Sequence, residues 1–320
     1  MQTVKKAVIP IGGIGSRFLP ATKAVAKEMF PLVDKPVLLE ILKECVDSGI
    51  EEVFIVLSPN KMNVKSFFEK DLALEQRLEK DGKLNYLKPY FDVVGKLKSL
   101  EFGVQKVARG SGDALFPAEK WVNGEPFAVL FGDDLNFTPD GMRPAIGQCI
   151  DAYELTHKLV IGCKPVPMED ISKYSSCIVG KEVSKGVFET SGIIEKPLAK
   201  DAPSNLAGLA RYVVTPDIFD VLRRTPIDKR GELSLTDAMD IIAREKGATV
   251  CSFESQRYDT GDKLGYLKAQ IAYALQDKDL TIAVENLIID LSKDIIFKKF
   301  VDDRIKQNLE TDEGINTEKE

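Results

Sequence analysis

The chain has 320 residues, of which 44% are hydrophobic and 29% charged, with a formal net charge of −6 at pH 7. That is enough apolar material for a large buried core, and the acidic balance argues against nucleic acid as a partner. No apolar run reaches the roughly eighteen residues of a membrane span, and the stretch Met1 to Lys6 lacks the apolar core and cleavage site of a signal peptide; a cytoplasmic protein without membrane contact is expected.

An apolar run over 7–11 predicts the first strand, and it feeds a loop with glycines at 12, 13 and 15, Arg17 and, ten residues further on, Lys27. Glycines let backbone N–H groups approach phosphate oxygens, and the two cations supply fixed positive charge, so the loop suits a nucleoside triphosphate. A dinucleotide-binding loop fits worse, because Phe18 stands where the third glycine should be and no acidic residue follows the second strand. A P-loop is excluded, since Gly-Lys-Ser/Thr occurs nowhere. A plain strand-to-helix turn with a solvated arginine stays open on this loop alone.

Val37, Leu38, Ile41, Leu42, Cys45 and Val46 fall on one helical face, with Gly49 as the C-terminal cap. A second strand is expected over 53–57, exposed helices over 69–98, a strand over 102–107, a helix from near Ala114 and a strand over 127–131 that delivers Asp133 and Asp134 at its carboxyl end. Strands near 159–164, 192–195 and 206–214 complete the same sheet. Helical patterns follow over 263–274 and 280–300, the latter with an apolar stripe of Ile282, Val284, Leu287, Ile288, Leu291 and Ile295 that covers either the chain's own core or the same helix of another subunit. The polar end, 307–320, reads as disordered. The five cysteines lack a C-x-x-C pair and read as buried thiols, and the lone His157 reads as a helix-end or surface residue.

The segment from Ile9-Pro10 through Gly15-Ser16-Arg17-Phe18-Leu19-Pro20-Ala21-Thr22-Lys23, then Lys27-Glu28-Met29-Phe30-Pro31-Leu32-Val33-Asp34-Lys35-Pro36, closely resembles the bacterial UTP–glucose-1-phosphate uridylyltransferases of the sugar-nucleotidyltransferase superfamily. The likeness continues in order through Gly132-Asp133-Asp134, Glu195-Lys196-Pro197, Ala202-Pro203-Ser204-Asn205-Leu206-Ala207, Leu235-Thr236-Asp237-Ala238 and Arg257-Tyr258-Asp259-Thr260-Gly261-Asp262, and covers residues 5 to 275. It implies an α/β fold with a Rossmann-like mixed, mostly parallel sheet and helices on both faces. It also implies a catalytic domain over 1–278, nucleotide-binding to about 157 and sugar-binding from about 158, then a helical oligomerisation segment over 279–306.

The resemblance implies uridylyl transfer from UTP to glucose 1-phosphate with Mg²⁺, in a homo-oligomer, dimer or tetramer. Catalysis would rest on Arg17, Lys27, Asp133 and Lys196. The nucleotide would be held by Gly12, Gly13, Gly15, Arg17, Lys27, Gln105, Gly110 and Asp133, and the metal by Asp133 with Asp259. Ser175, Glu195 and Lys196 would bind the sugar phosphate. Gln105 would pair with the uracil edge through one donor and one acceptor. Asp134 could orient its neighbour. Several positions depart from the family pattern: Ile11-Gly12-Gly13 in place of Ala-Ala-Gly, Ser16 and Ala26, Asp113 in place of histidine, Ser175 in place of glycine and Ser234 in place of glutamine. Arg109 lies near enough in sequence to partner Asp113. The departures keep open another pair of substrates, such as dTTP or an amino-sugar 1-phosphate. A catalytically silent regulatory relative is the more distant alternative.

Overall fold

The computed structural model describes residues 3–139, 141–229, 231–294 and 301. The tail at 307–320, Ile295 of the apolar stripe and most of 295–306 lie outside the described residues. The strands are β1 (Lys6–Ile11), β2 (Pro31–Leu32), β3 (Lys35–Pro36), β4 (Glu52–Leu57), β5 (Ser99–Val104), β6 (Phe127–Leu130), β7 (Asp134–Phe137), β8 (Val160–Pro165), β9 (Ser175–Ser184), β10 (Val187–Glu195), β11 (Leu206–Val214), β12 (Ala248–Ser252) and β13 (Gln256–Asp259). The helices are α1 (Val37–Asp47), α2 (Leu72–Lys80), α3 (Lys88–Val94), α4 (Glu119–Val122), α5 (Ala145–Thr156), α6 (Ile218–Arg224), α7 (Leu235–Lys246), α8 (Lys263–Ala274) and α9 (Thr281–Lys293). The chain forms two compact units, Met1–Tyr266 and Leu267–Glu320.

Nine strands of the first unit make one sheet in the order β5-β4-β1-β6-β11-β8-β12-β10-β9. β1 is parallel to β4 and β6, β4 to β5, and β8 to β12, while β11 runs against β6, β8 and β9, and β10 against β12 and β9. Only β10 and β11 therefore oppose the other strands, and the sheet is mixed and mostly parallel. Its inner strands read as unbroken apolar runs because both faces are covered. Val8, Val56, Val129, Ile161 and Tyr212 join one core with Phe219, Leu222, Met239 and Ile242 of α6 and α7. Ala7, Ile9, Ile55 and Leu57 are buried on the other face, where α5 packs on β8, β11 and β12, and α1 on α5.

α1 stops where expected. Gly49 takes a left-handed φ of 84°, the Ile50 N–H donates to the Cys45 carbonyl at 3.1 Å and the Gly49 N–H to Val46 at 3.0 Å, which is the Schellman pattern. The strand expected over 102–107 lies three residues earlier, because parallel pairing with β4 sets Ser99 opposite Glu52 and Val104 opposite Leu57. Gln105 thus sits just past the strand, its N–H donating to the Leu57 carbonyl at 2.8 Å. The helix expected from Ala114 is a tight turn over Asp113–Ala118 followed by the single turn of α4, since Pro117 has no N–H for an α-helical ladder. All five cysteines are buried free thiols, and His157 ends α5 with φ 52°. No helix among the described residues is long and apolar enough to cross a membrane.

Candidate active site

The site lies where β1, β5 and β6 end, outside the carboxyl ends of parallel strands. After β1 the chain passes Gly12 and Gly13 and turns at Gly15, whose φ of 67° favours glycine; a Cβ there would come within 2.8 Å of Thr22. The Thr22 hydroxyl donates to the Gly15 carbonyl at 2.8 Å and ties the loop closed. Lys27 returns beneath Gly13 and donates to Oδ2 of Asp133. Burial works against the Lys27 ammonium, but Asp133, with Glu28 and Asp259, outweighs that cost and holds its pKa above the ordinary lysine value. Arg17 donates to the Gly261 carbonyl at 3.3 Å. Behind Lys27, Glu28 forms a buried pair with Lys61 at 2.7 Å, and desolvation shifts Glu28 upward and Lys61 downward.

Asp133 is held by its own backbone, its carbonyl accepting from the Thr260 N–H at 2.9 Å and the Thr260 hydroxyl at 2.7 Å. β13 pairs with β7 and brings Asp259 opposite Asp134. The carboxylates of Asp133 and Asp259 converge on Gly261: a Cβ there would stand 2.7 Å from Asp133 Oδ2 and 3.1 Å from Asp259 Oδ1. Two carboxylates facing one small space suit a divalent cation that uses few protein carboxylates and completes its shell with water and phosphate. Asp134 does not share that space. It is buried and accepts from Nε and Nη2 of Arg257 at 2.8 and 2.5 Å, while burial pushes its pKa upward against the pull of Arg257. Arg257 in turn lies over the Tyr174 ring, 5.2 Å from its centre.

Two clefts meet at Asp133. One is lined by Gly12, Gly13, Lys27, Gln105, Gly110 and Asp133, the other by Arg17, Asp133, Ser175, Glu195, Lys196 and Asp259. Gly15 shapes the loop from outside both linings. Gly110 has φ 108°, and a Cβ there would strike the Leu233 backbone at 2.5 Å. Ser175 is tolerated in place of glycine because Gly208 stands opposite, where a Cβ would meet Ser175 Oγ at 2.5 Å. Ser234 caps α7, accepting from the Asp237 N–H at 3.2 Å. Lys196 has φ 45°, its N–H donates to the Tyr174 carbonyl at 3.0 Å, and its ammonium stands 3.6 Å from Glu195. Asp113 is partnered by Gln105 at 2.8 Å, not by Arg109.

A profile of the nucleotidyl transferase family matches residues 6–276. A UTP–glucose-1-phosphate uridylyltransferase 2 of Streptococcus pyogenes serotype M3 is 40% identical over 92% of this chain and 98% of its own length. The chain belongs to the UTP–glucose-1-phosphate uridylyltransferase family. Solved relatives agree: a UDP-glucose pyrophosphorylase complexed with UDP-glucose superposes with a TM-score of 0.77 at 34% identity, over 85% of this chain and 99% of that one. The UTP-bound enzyme of Acinetobacter baumannii gives 0.81 at 32% identity, over 90% and 99%.

Tyr174, Arg257, Lys173 and Glu232 also line the second cleft. Sequence reasoning did not nominate them as site residues, although Arg257 stands two residues before Asp259. An arginine paired with a buried aspartate carries no spacing signal, because its partner is 123 positions away.

Proposed function

We propose that this member of the family transfers uridylyl from UTP to α-D-glucose 1-phosphate, releasing pyrophosphate, as a cytoplasmic enzyme. The observation that carries the reading is the meeting of two clefts at Asp133, one walled by glycines and Lys27, the other by Glu195 and Lys196. A phosphate oxygen of the sugar phosphate attacks the α-phosphorus in line, and pyrophosphate leaves with the bridging electron pair. No covalent enzyme intermediate is needed, so the protein's work is positioning and charge neutralisation. Arg17 would hold the outer phosphates, Lys27 would meet the charge building at the α-phosphate, and Lys196 would hold the sugar phosphate with Glu195 and Ser175 on the hexose. Mg²⁺, carried by Asp133 and Asp259, would supply neutralisation of phosphate charge when bound.

Retention of Arg17, Lys27, Asp133 and Lys196 argues against a silent regulatory relative. The test is pyrophosphate release with Mg²⁺, crossing UTP, dTTP, CTP, ATP and GTP against glucose, galactose and N-acetylglucosamine 1-phosphates. Preference for UTP with glucose 1-phosphate is expected. Preference for another pair would move the substrate and keep the mechanism; silence with every pair would sink both.

A further inference from the structure

Gln105 is buried at the end of β5 and lines the first cleft; Asp113, at the start of the turn before α4, does not. The Gln105 side-chain nitrogen donates to Asp113 Oδ2 at 2.8 Å and to the Gly110 carbonyl at 3.2 Å. Both partners only accept, so the amide has one permitted orientation and both of its hydrogens are committed. The side-chain oxygen is left facing Gly12, 3.0 Å from where a Cβ would stand. Among the described residues it receives no hydrogen bond, and it is not one of the buried atoms without a partner, so it opens on the cleft. Gln105 therefore offers the base an acceptor only, in place of the donor and acceptor expected from sequence.

We infer that Asp113 is a specificity-determining positioning residue, which holds the Gln105 oxygen toward the base and so selects a pyrimidine that presents a ring N–H over one that presents a ring lone pair. Uracil and thymine carry that hydrogen at N3. Cytosine carries a lone pair there, which would face the Gln105 oxygen across a desolvated gap. The inference rests on the uridylyl-transfer reading and deepens it. It also gives the departure from histidine at this position a physical role, because a carboxylate can never donate to Gln105 and so never permits the flipped amide. The Gly110 carbonyl favours the same orientation through the longer of the two bonds, and Asp113 supplies the shorter one.

The test is kcat/KM for UTP and for CTP in the wild type, Asp113→Asn, Gln105→Ala and the double variant, with the KM for glucose 1-phosphate as control. Asparagine is nearly isosteric but can turn either its oxygen or its nitrogen to Gln105. It should lower kcat/KM for UTP by about tenfold, the scale of a misdirected buried hydrogen bond, and narrow the UTP-to-CTP ratio. The KM for glucose 1-phosphate should hold. Added to Gln105→Ala, the Asn substitution should leave the ratio where it is, because Asp113 acts through that side chain. An unchanged ratio in Asp113→Asn, an equal fall for both nucleotides, or a further change on the Gln105→Ala background would each overturn the assignment. If Asp113→Asn does not fold, Gln105→Ala decides: a retained UTP preference refutes the inference, and a lost one supports it. Failure of the wild type to use UTP would instead refute the functional reading, which keeps the two failures distinct.

Discussion

Lys27 carries its charge in a place that penalises it, and keeps it because Asp133 is in contact. That pairing suits a site that must receive a polyanion: the ammonium is held protonated before substrate arrives, and the neighbouring carboxylates offset its desolvation. Among the described residues Arg17 makes one hydrogen bond, 3.3 Å to the Gly261 carbonyl, which leaves most of its guanidinium donors uncommitted to that contact. Arg17→Ala and Asp133→Asn should each lower kcat by about two to three orders of magnitude while circular dichroism and the thermal transition stay close to wild type. Near-normal turnover in either variant would remove that residue from the mechanism. At this scale the sequence pointed to Arg17, Lys27 and Asp133, since they sit in or beside a glycine loop and a strand end, while Asp259, Glu195 and Lys196 were implied by the family resemblance. Pairings stayed out of reach: Asp113 finds Gln105, eight positions away, rather than Arg109, because side-chain direction depends on how the loop is packed, and Asp134 finds Arg257 from a distant segment.

Between elements, the main junction is Arg211 on β11. Its side chain is fully buried, pairs with Glu44 of α1 at 2.6 and 3.0 Å, and donates to the Asp134 carbonyl at 2.7 Å. Glu44 also accepts from the Ile146 N–H at the first turn of α5, at 2.9 Å, so one ion pair joins two helices, the central strand and the segment carrying the site aspartates. Removing one partner strands the other charge in the core. Arg211→Met should cost about 3–5 kcal/mol of unfolding free energy, read from urea denaturation, and adding Glu44→Gln should restore part of the loss. A cost below about 1 kcal/mol would show that water reaches the pair. The strands themselves were legible where apolar runs are long, as at 206–214, and displaced where pairing overrides local pattern. β5 is the example: its ends follow β4 and not its own hydrophobicity.

At the scale of the whole molecule, α9 presents Ile282, Leu287, Ile288, Ile289 and Leu291 as exposed side chains. We propose that the segment 279–306 joins copies of the chain. Light scattering coupled to size exclusion should give a multiple of the protomer mass for the full chain and a single protomer when 279–320 is removed; a monomeric full chain would end the proposal. The sequence by itself determined the glycine loop, the order of the motifs, most of the strand positions and the residue types of the first loop. Those are local properties, set by backbone freedom, periodicity and charge within a few positions. Only the tertiary structure decided that the two clefts share Asp133 and that the Gln105 amide is locked by Asp113. Those facts depend on residues tens to more than a hundred positions apart, or on a single side-chain torsion, and packing fixes both after the chain has closed on itself.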